Sequence, residues 1–282
     1  MAMQEASDAA EMRAALPALL AAHPQVAAVV DRSCLLLHGS RTIGTARATS
    51  DWDLWVLTDD ATHAAFAAEH GTRFINFAAD GRVGHFQLKS VAALARQVAA
   101  CDLELISELR YGIVIAGSPA VAVELLRAAR KPMSDAVRHA WFRYHYVEMR
   151  SDHRACDGSV DQQDNPAATL IAVAKTVQHA LQAAMVIDRE PYRYSKWLAP
   201  LAARTPTGAR IVPIVNEAIE LIETGALRDH SPEAAHPLIL SLRRLRDPLI
   251  DAARNAGIDE EWLTKWWLHI DTARDGIHDV SW

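Results

Sequence analysis

LLLHGSRTIGTARATSDWDLWVL, residues 35–57, is the stretch on which the rest of the chain is organised. Its apolar start, checked by Gly39-Ser40, predicts a short strand that ends in a tight turn. A glycine there lets a ligand approach the backbone closely. Ser40 adds a hydroxyl to the backbone N–H groups of the turn, so the pair suits a phosphate. After the loop, Asp51, Asp53 and Trp55 alternate with Trp52, Leu54 and Val56, and period two means a second strand. Side chains two apart on a strand share a face. Asp51 and Asp53 are therefore expected side by side, where each raises the cost of ionising the other. A hard divalent cation resolves that conflict, because Mg²⁺ takes one or two carboxylates together with phosphate oxygens. Trp52 and Leu54 face the other way and anchor the strand.

Outward from this stretch the N-terminal half is mixed. Residues 7–30 place Ala, Leu and Met at helical spacing, with Ser7 as a cap and Pro24 as the stop. A short helix is expected at 62–71. Strands at 73–79 and 82–90 are joined by a turn at Asp80-Gly81, a helix covers 90–112, and a last strand lies at 113–117. From Lys131 the pattern is almost wholly helical. Segments 134–156, 165–188, 209–225, 231–257 and 259–276 read as helices, several with their own start signals at Ser134, Asn165-Pro166, Ser231-Pro232 and Asp259. The expected fold class is α+β: a small mixed-sheet domain with an N-terminal helix over 1–130, then an all-helical bundle over 131–282.

Composition narrows the function classes. The chain has 282 residues, half of them hydrophobic and 23% charged, enough for two ordinary cores. A formal net charge of −6 argues against a nucleic-acid-tracking surface and suits a small, cationic acceptor. Cys34, Cys101 and Cys156 are far apart with no CxxC, which points to a reducing compartment and away from a zinc scaffold. No run reads as the ~18–20 apolar residues of a membrane span. The N-terminus is acidic before any apolar stretch, unlike a secretory leader. A cytoplasmic location is the expectation. No GxSxG, GxxxxGK or GxGxxG occurs, so hydrolase, P-loop and dinucleotide-binding readings have no motif.

Gly-Ser after a strand, followed by Asp-x-Asp on the next strand, resembles the signature of the DNA polymerase β-like nucleotidyltransferase superfamily. GSRTIGTARATSDWDLWVL is especially similar to bacterial small nucleotidyltransferases, the group that includes aminoglycoside and lincosamide adenylyltransferases. REPYRYSKWLAPL, residues 189–201, looks like the segment that closes the central helices in many of them. The resemblance covers roughly residues 30–200. It implies that ATP or another nucleoside triphosphate binds with its phosphates near Gly39 and Ser40, with Ser50 part of the same motif; Arg41, flanking the loop, is a further candidate phosphate contact whose alternative is a solvent-facing arginine. It further implies that Mg²⁺ ions held by Asp51 and Asp53 promote nucleotidyl transfer to a hydroxyl of a small acceptor. The family commonly has a third carboxylate on a later strand, and here that place falls on His85. An imidazole can ligate one ion or act as a base, but it brings no negative charge. The resemblance also favours Lys175 and Lys196 as triphosphate contacts; the alternatives are a snorkelling side chain for Lys175 and a helix brace for Lys196. Glu148 is a candidate general base for the acceptor hydroxyl, with His145 and Asp152 on the same helix face; its alternative is a solvated surface glutamate. Trp262, Trp266 and Trp267 read as packing residues, and Arg243, Arg244 and Arg246 as a solvated face. Two other functions fit the same residues: a nucleotide-binding or protein-interaction module with a degraded metal site, and nucleotidylation of a protein or tRNA. Base preference and oligomeric state have no sequence signal.

Overall fold

The computed structural model describes residues 2–79, 81–161, 165–229 and 231–282. The chain forms two compact units, Met1–Lys131 and Pro132–Trp282.

The first unit opens with α1 (Ala2–Ala22) and α2 (Pro24–Val30), which turn by 119° at His23. Pro24 therefore begins a second helix as well as ending the first, because a proline has no N–H to miss at a helix start. Then follow β1 (Cys34–His38), β2 (Trp52–Thr58), α3 (Asp60–His70), β3 (Phe74–Ala79), β4 (Arg82–Ser90), α4 (Val91–Ala99), α5 (Leu103–Tyr111), β5 (Ile113–Gly117) and α6 (Val123–Ala129). Asp80, in the expected β3–β4 turn, lies outside the described residues. The strands form one mixed sheet in the order β3-β4-β2-β1-β5. β2 runs parallel to β4, and the other neighbours are antiparallel. Leu35, Leu37, Trp52, Leu54, Val56, Phe86 and Leu88 fill a core with Met12, Leu16, Leu19, Val26 and Val29 from α1 and α2. The central strands are buried on both faces, with Cys34, Leu36, Trp55 and Leu57 covered on the second one.

The opposite face carries Leu36, Trp55 and Leu57 and, at one end, the polar residues of the candidate site. Register places His38 of β1 beside Asp53 of β2, Asp53 beside His85 of β4, and His85 beside Asn76 of β3. The helix expected over 90–112 is two helices. Cys101 adopts a left-handed φ of +58°, and the Asp102 carboxylate caps α5 by accepting from the Leu105 N–H.

The second unit is helical: α7 (Asp135–Asp161), α8 (Pro166–Ile187), α9 (Ser195–Ala202), α10 (Gly208–Glu223), α11 (Pro237–Arg243), α12 (Arg246–Asn255) and α13 (Ile270–Gly276). Ser134 and Asn165 cap α7 and α8 as their side chains predict. The long pair α7 and α8 packs together along its length. Two expected helices break. The 231–257 segment starts its helix at Pro237 and interrupts it at Arg244–Leu245. The 259–276 segment forms two short 3₁₀ turns before α13. Trp262 is buried there, while Trp267 is 56% exposed and is not a packing residue. By length and hydropathy α8 would qualify as a membrane span, contrary to the expectation that no segment does; 61% of its apolar window is buried inside the structure.

Candidate functional site

Gly39 opens a 3₁₀ turn, Gly39–Thr42, at the end of β1 with φ +78°. The turn is braced from inside. Thr42 Oγ1 donates to the Gly39 carbonyl, and the Thr45 N–H donates to the Ser40 carbonyl. Asp53 lies directly over Gly39: a Cβ at that position would stand 2.1 Å from Asp53 Oδ2. The glycine is thus required twice, by its backbone angle and by the carboxylate above it.

Asp51, Asp53 and His85 converge. Each offers a ligand atom, and these atoms lie within 4.8 Å of one another. His85 Nδ1 is 3.5 Å from Asp53 Oδ1, and its ring stacks on Phe74 with centroids 4.3 Å apart. Burial pushes the Asp53 carboxyl above the usual range; His38 and His85 pull it down, while the charges of Asp51 and Glu108 push it further up. Burial also lowers the His85 imidazole, against the pull of Asp53. A buried carboxyl and an imidazole held neutral, with the Lys89 charge nearby, are thus packed together.

Two neighbours were not legible from the motif. His38 precedes the turn, and its Nδ1 is 3.2 Å from Glu108 Oε2 on α5. The same carboxylate oxygen accepts from the Gly39 N–H at 3.4 Å. Glu108 therefore ties His38 and the glycine turn to the helix behind them. The one available signal was the place of His38, immediately before the glycine and level with Asp53.

Arg41 and Ser50 serve the loop itself. Arg41 is buried, with its guanidinium 3.8 Å above the Trp52 ring. Its Nε donates to the Asp51 carbonyl, Nη2 donates to the Ser50 carbonyl, and Nη1 stands 3.7 Å from the Asp8 carboxylate. Ser50 Oγ accepts from the Arg47 N–H. Arg41 is a clamp on the backbone that presents Asp51. Arg41→Ala is expected to cost about 2 kcal/mol in urea unfolding, with little rescue by lysine, whose single ammonium cannot span two carbonyls and a ring.

A second cluster lies in the helical unit. Glu148 and Asp152 on α7 and His179 on α8 bring ligand atoms within 4.8 Å of one another. Both Glu148 oxygens accept from Arg274, at 2.5 and 3.1 Å, so the expected general base is already held in a two-pronged ion pair. His145 does not join Glu148. Its Nδ1 faces His179 Nδ1 at 3.0 Å, and its Nε2 faces the Tyr192 hydroxyl at 3.0 Å. Tyr192 belongs to the 189–201 segment, whose Arg193 is wholly buried. That segment is structural at this end. Lys175 is exposed beside Asp152 and His179, whose pKa values its charge lowers; Lys196 is exposed with its ammonium over the Trp197 ring.

Burial holds His145 well below its usual value of 6.5. A histidine kept neutral by the fold leaves the unfolded chain binding more protons below that value, so stability is lost as pH falls. The loss begins near pH 6.5 and has a slope of about 1.4 kcal/mol per pH unit for one such group. Burial raises Asp152 in the opposite sense, and that contribution enters only at lower pH, in the carboxylate range. Urea midpoints measured from pH 7.5 to pH 5.5, on intact protein and on His145→Gln, are expected to show a shallower slope in the variant (values about one unit either side of the histidine range).

No family model matches the chain, and no curated protein sequence matches it. Among solved structures it is similar to a nucleotidyltransferase-like protein from Exiguobacterium sibiricum 255-15, at 12% identity and a TM-score of 0.47, over 94% of this chain and 81% of that one.

Proposed function

We propose that the chain is a metal-dependent nucleotidyltransferase that moves a nucleoside monophosphate, AMP from ATP in the simplest case, to a hydroxyl of a small acceptor. The observation that carries this reading is the convergence of Asp51, Asp53 and His85 beside a glycine turn that has no room for a Cβ. Two carboxylates and an imidazole are donors that fit one divalent ion, Mg²⁺ or a relative. When bound, the ion neutralises phosphate charge and polarises the attacked phosphate. Gly39 and Ser40 give the triphosphate a close backbone wall. Asp51 is presented by the loop that Arg41 clamps, and Asp53 is held by the sheet register. The acceptor oxygen bonds to the α-phosphorus as the bridging P–O bond to the β-phosphate breaks, and pyrophosphate leaves with that electron pair. With both Glu148 oxygens held by Arg274, the proton transfer is assigned to no side chain, and the hydroxyl proton leaves to water as the new P–O bond forms.

Calorimetry with ATP, with and without divalent metal, and pyrophosphate release in the presence of pooled hydroxyl compounds test the reading. Metal-dependent ATP binding with acceptor-dependent pyrophosphate is the expected result, and absence of ATP binding in both conditions overturns it. The neutral His85 in place of a third carboxylate favours a second reading, a nucleotide-binding module without turnover. ATP binding with no pyrophosphate from any acceptor pool would favour that one.

A further inference from the structure

We propose that Asp51, Asp53 and His85 hold a single transition-series divalent ion, of the class running from Mn²⁺ to Zn²⁺, in preference to Mg²⁺, and that His85 sets the choice. The proposal rests on the reading that these residues bind a metal at all. Its basis is the donor set and how firmly it is held. Mg²⁺ demands near-octahedral oxygen ligation and gives up water reluctantly, whereas imidazole nitrogen suits the later divalent ions. His85 has no freedom to leave the site to oxygen donors alone. Its strand partner is Asp53 in the parallel β2–β4 register, its Nδ1 stands 3.5 Å from Asp53 Oδ1, and its ring is stacked on Phe74 at 24°. Two carboxylates and a neutral ring balance the charge of one divalent ion and not of two. A further carboxylate that acts on Asp53, Glu108, has its Oε2 turned to His38 and the Gly39 N–H. His38 on the other flank of Asp53 is tied to that same carboxylate, so Asp53 is framed by imidazoles on both sides.

Calorimetric titration of the full chain with Mg²⁺ and with Mn²⁺, together with proton NMR of the Co²⁺-loaded protein, tests this without any turnover assay. The expected result is tighter binding of Mn²⁺ than of Mg²⁺, and a hyperfine-shifted, solvent-exchangeable imidazole N–H that disappears in His85→Asp. The Mn²⁺-to-Mg²⁺ affinity ratio is expected to fall by about tenfold or more in His85→Asp. His85→Gln, neutral and of similar size, gives the same test if the added carboxylate disturbs folding: its ratio falls and its shifted N–H is lost. Equal or tighter Mg²⁺ binding in the intact protein, no shifted imidazole resonance, or an unchanged ratio in the folded variants overturns the proposal and leaves the transferase reading standing. No binding of any of the three ions overturns both.

Discussion

Replacing Asp51 and Asp53 together by asparagine is expected to abolish divalent-metal binding and to lower pyrophosphate release by about a thousandfold or more. The amide keeps the shape of each side chain but removes the charge that the ion needs. Asp53 is the more telling of the two. Burial, Asp51 and Glu108 all make its ionised form expensive, and the two flanking histidines only partly relieve it. An acid whose folded pKa is raised binds more protons in the folded state, so stability falls as pH rises through that pKa. Near neutral pH the ionised Asp53 is a burden on the metal-free fold. Asp53→Asn alone should therefore raise the melting temperature of metal-free protein while it removes metal binding. A stability gain with functional loss marks a residue kept for chemistry rather than for packing. Added Mn²⁺ or Mg²⁺ should raise the melting temperature of the intact protein and leave the double variant unmoved. Pyrophosphate release that survives in the double variant would remove these carboxylates from the reaction.

The parts of the site that could be read in advance are those set by strand periodicity. Period two along Trp52–Val56 puts Asp53 on the face opposite Trp52, Leu54 and Val56, which enter the core. His85 is pointed to by the family resemblance alone, and the parallel β2–β4 register sets it beside Asp53. What escaped the sequence are groups delivered by long-range packing. Glu108 reaches His38 from a helix 70 residues later, and Arg274 reaches Glu148 across 126 residues. Neither carries a local pattern. Arg41 is a subtler case: a loop arginine reads as solvent-facing, yet the indole of Trp52 and the carbonyls of Ser50 and Asp51 give it a buried seat. The helix breaks at Cys101 and near Trp266 escaped as well. At the first break the sequence does carry a start signal, the N-cap Asp102, which a single helix over 90–112 passes over beside the left-handed Cys101.

Gly39→Ala is expected to cost about 3–4 kcal/mol in folding and to weaken metal binding about tenfold or more. The two sources of that cost can be separated. Gly39 and Gly71 both sit at positive φ, +78° and +68°. A Cβ at Gly71 meets nothing within 4 Å, while one at Gly39 meets Asp53 Oδ2 at 2.1 Å and Asp53 Cγ at 3.0 Å. Gly71→Ala thus measures the backbone strain alone, about 1 kcal/mol. The remainder at Gly39 is the collision with Asp53, and it can be relieved only by moving the carboxylate out of the cluster or the turn away from the strand end. Removing the collision partner tests this directly. In Gly39→Ala combined with Asp53→Ala the strain remains and the clash is gone, so the pair should show a coupling energy of about 2 kcal/mol in urea unfolding. Additive costs would mean that Asp53 does not lie over the turn, and the close apposition of carboxylate and glycine backbone would be lost as the basis of the site.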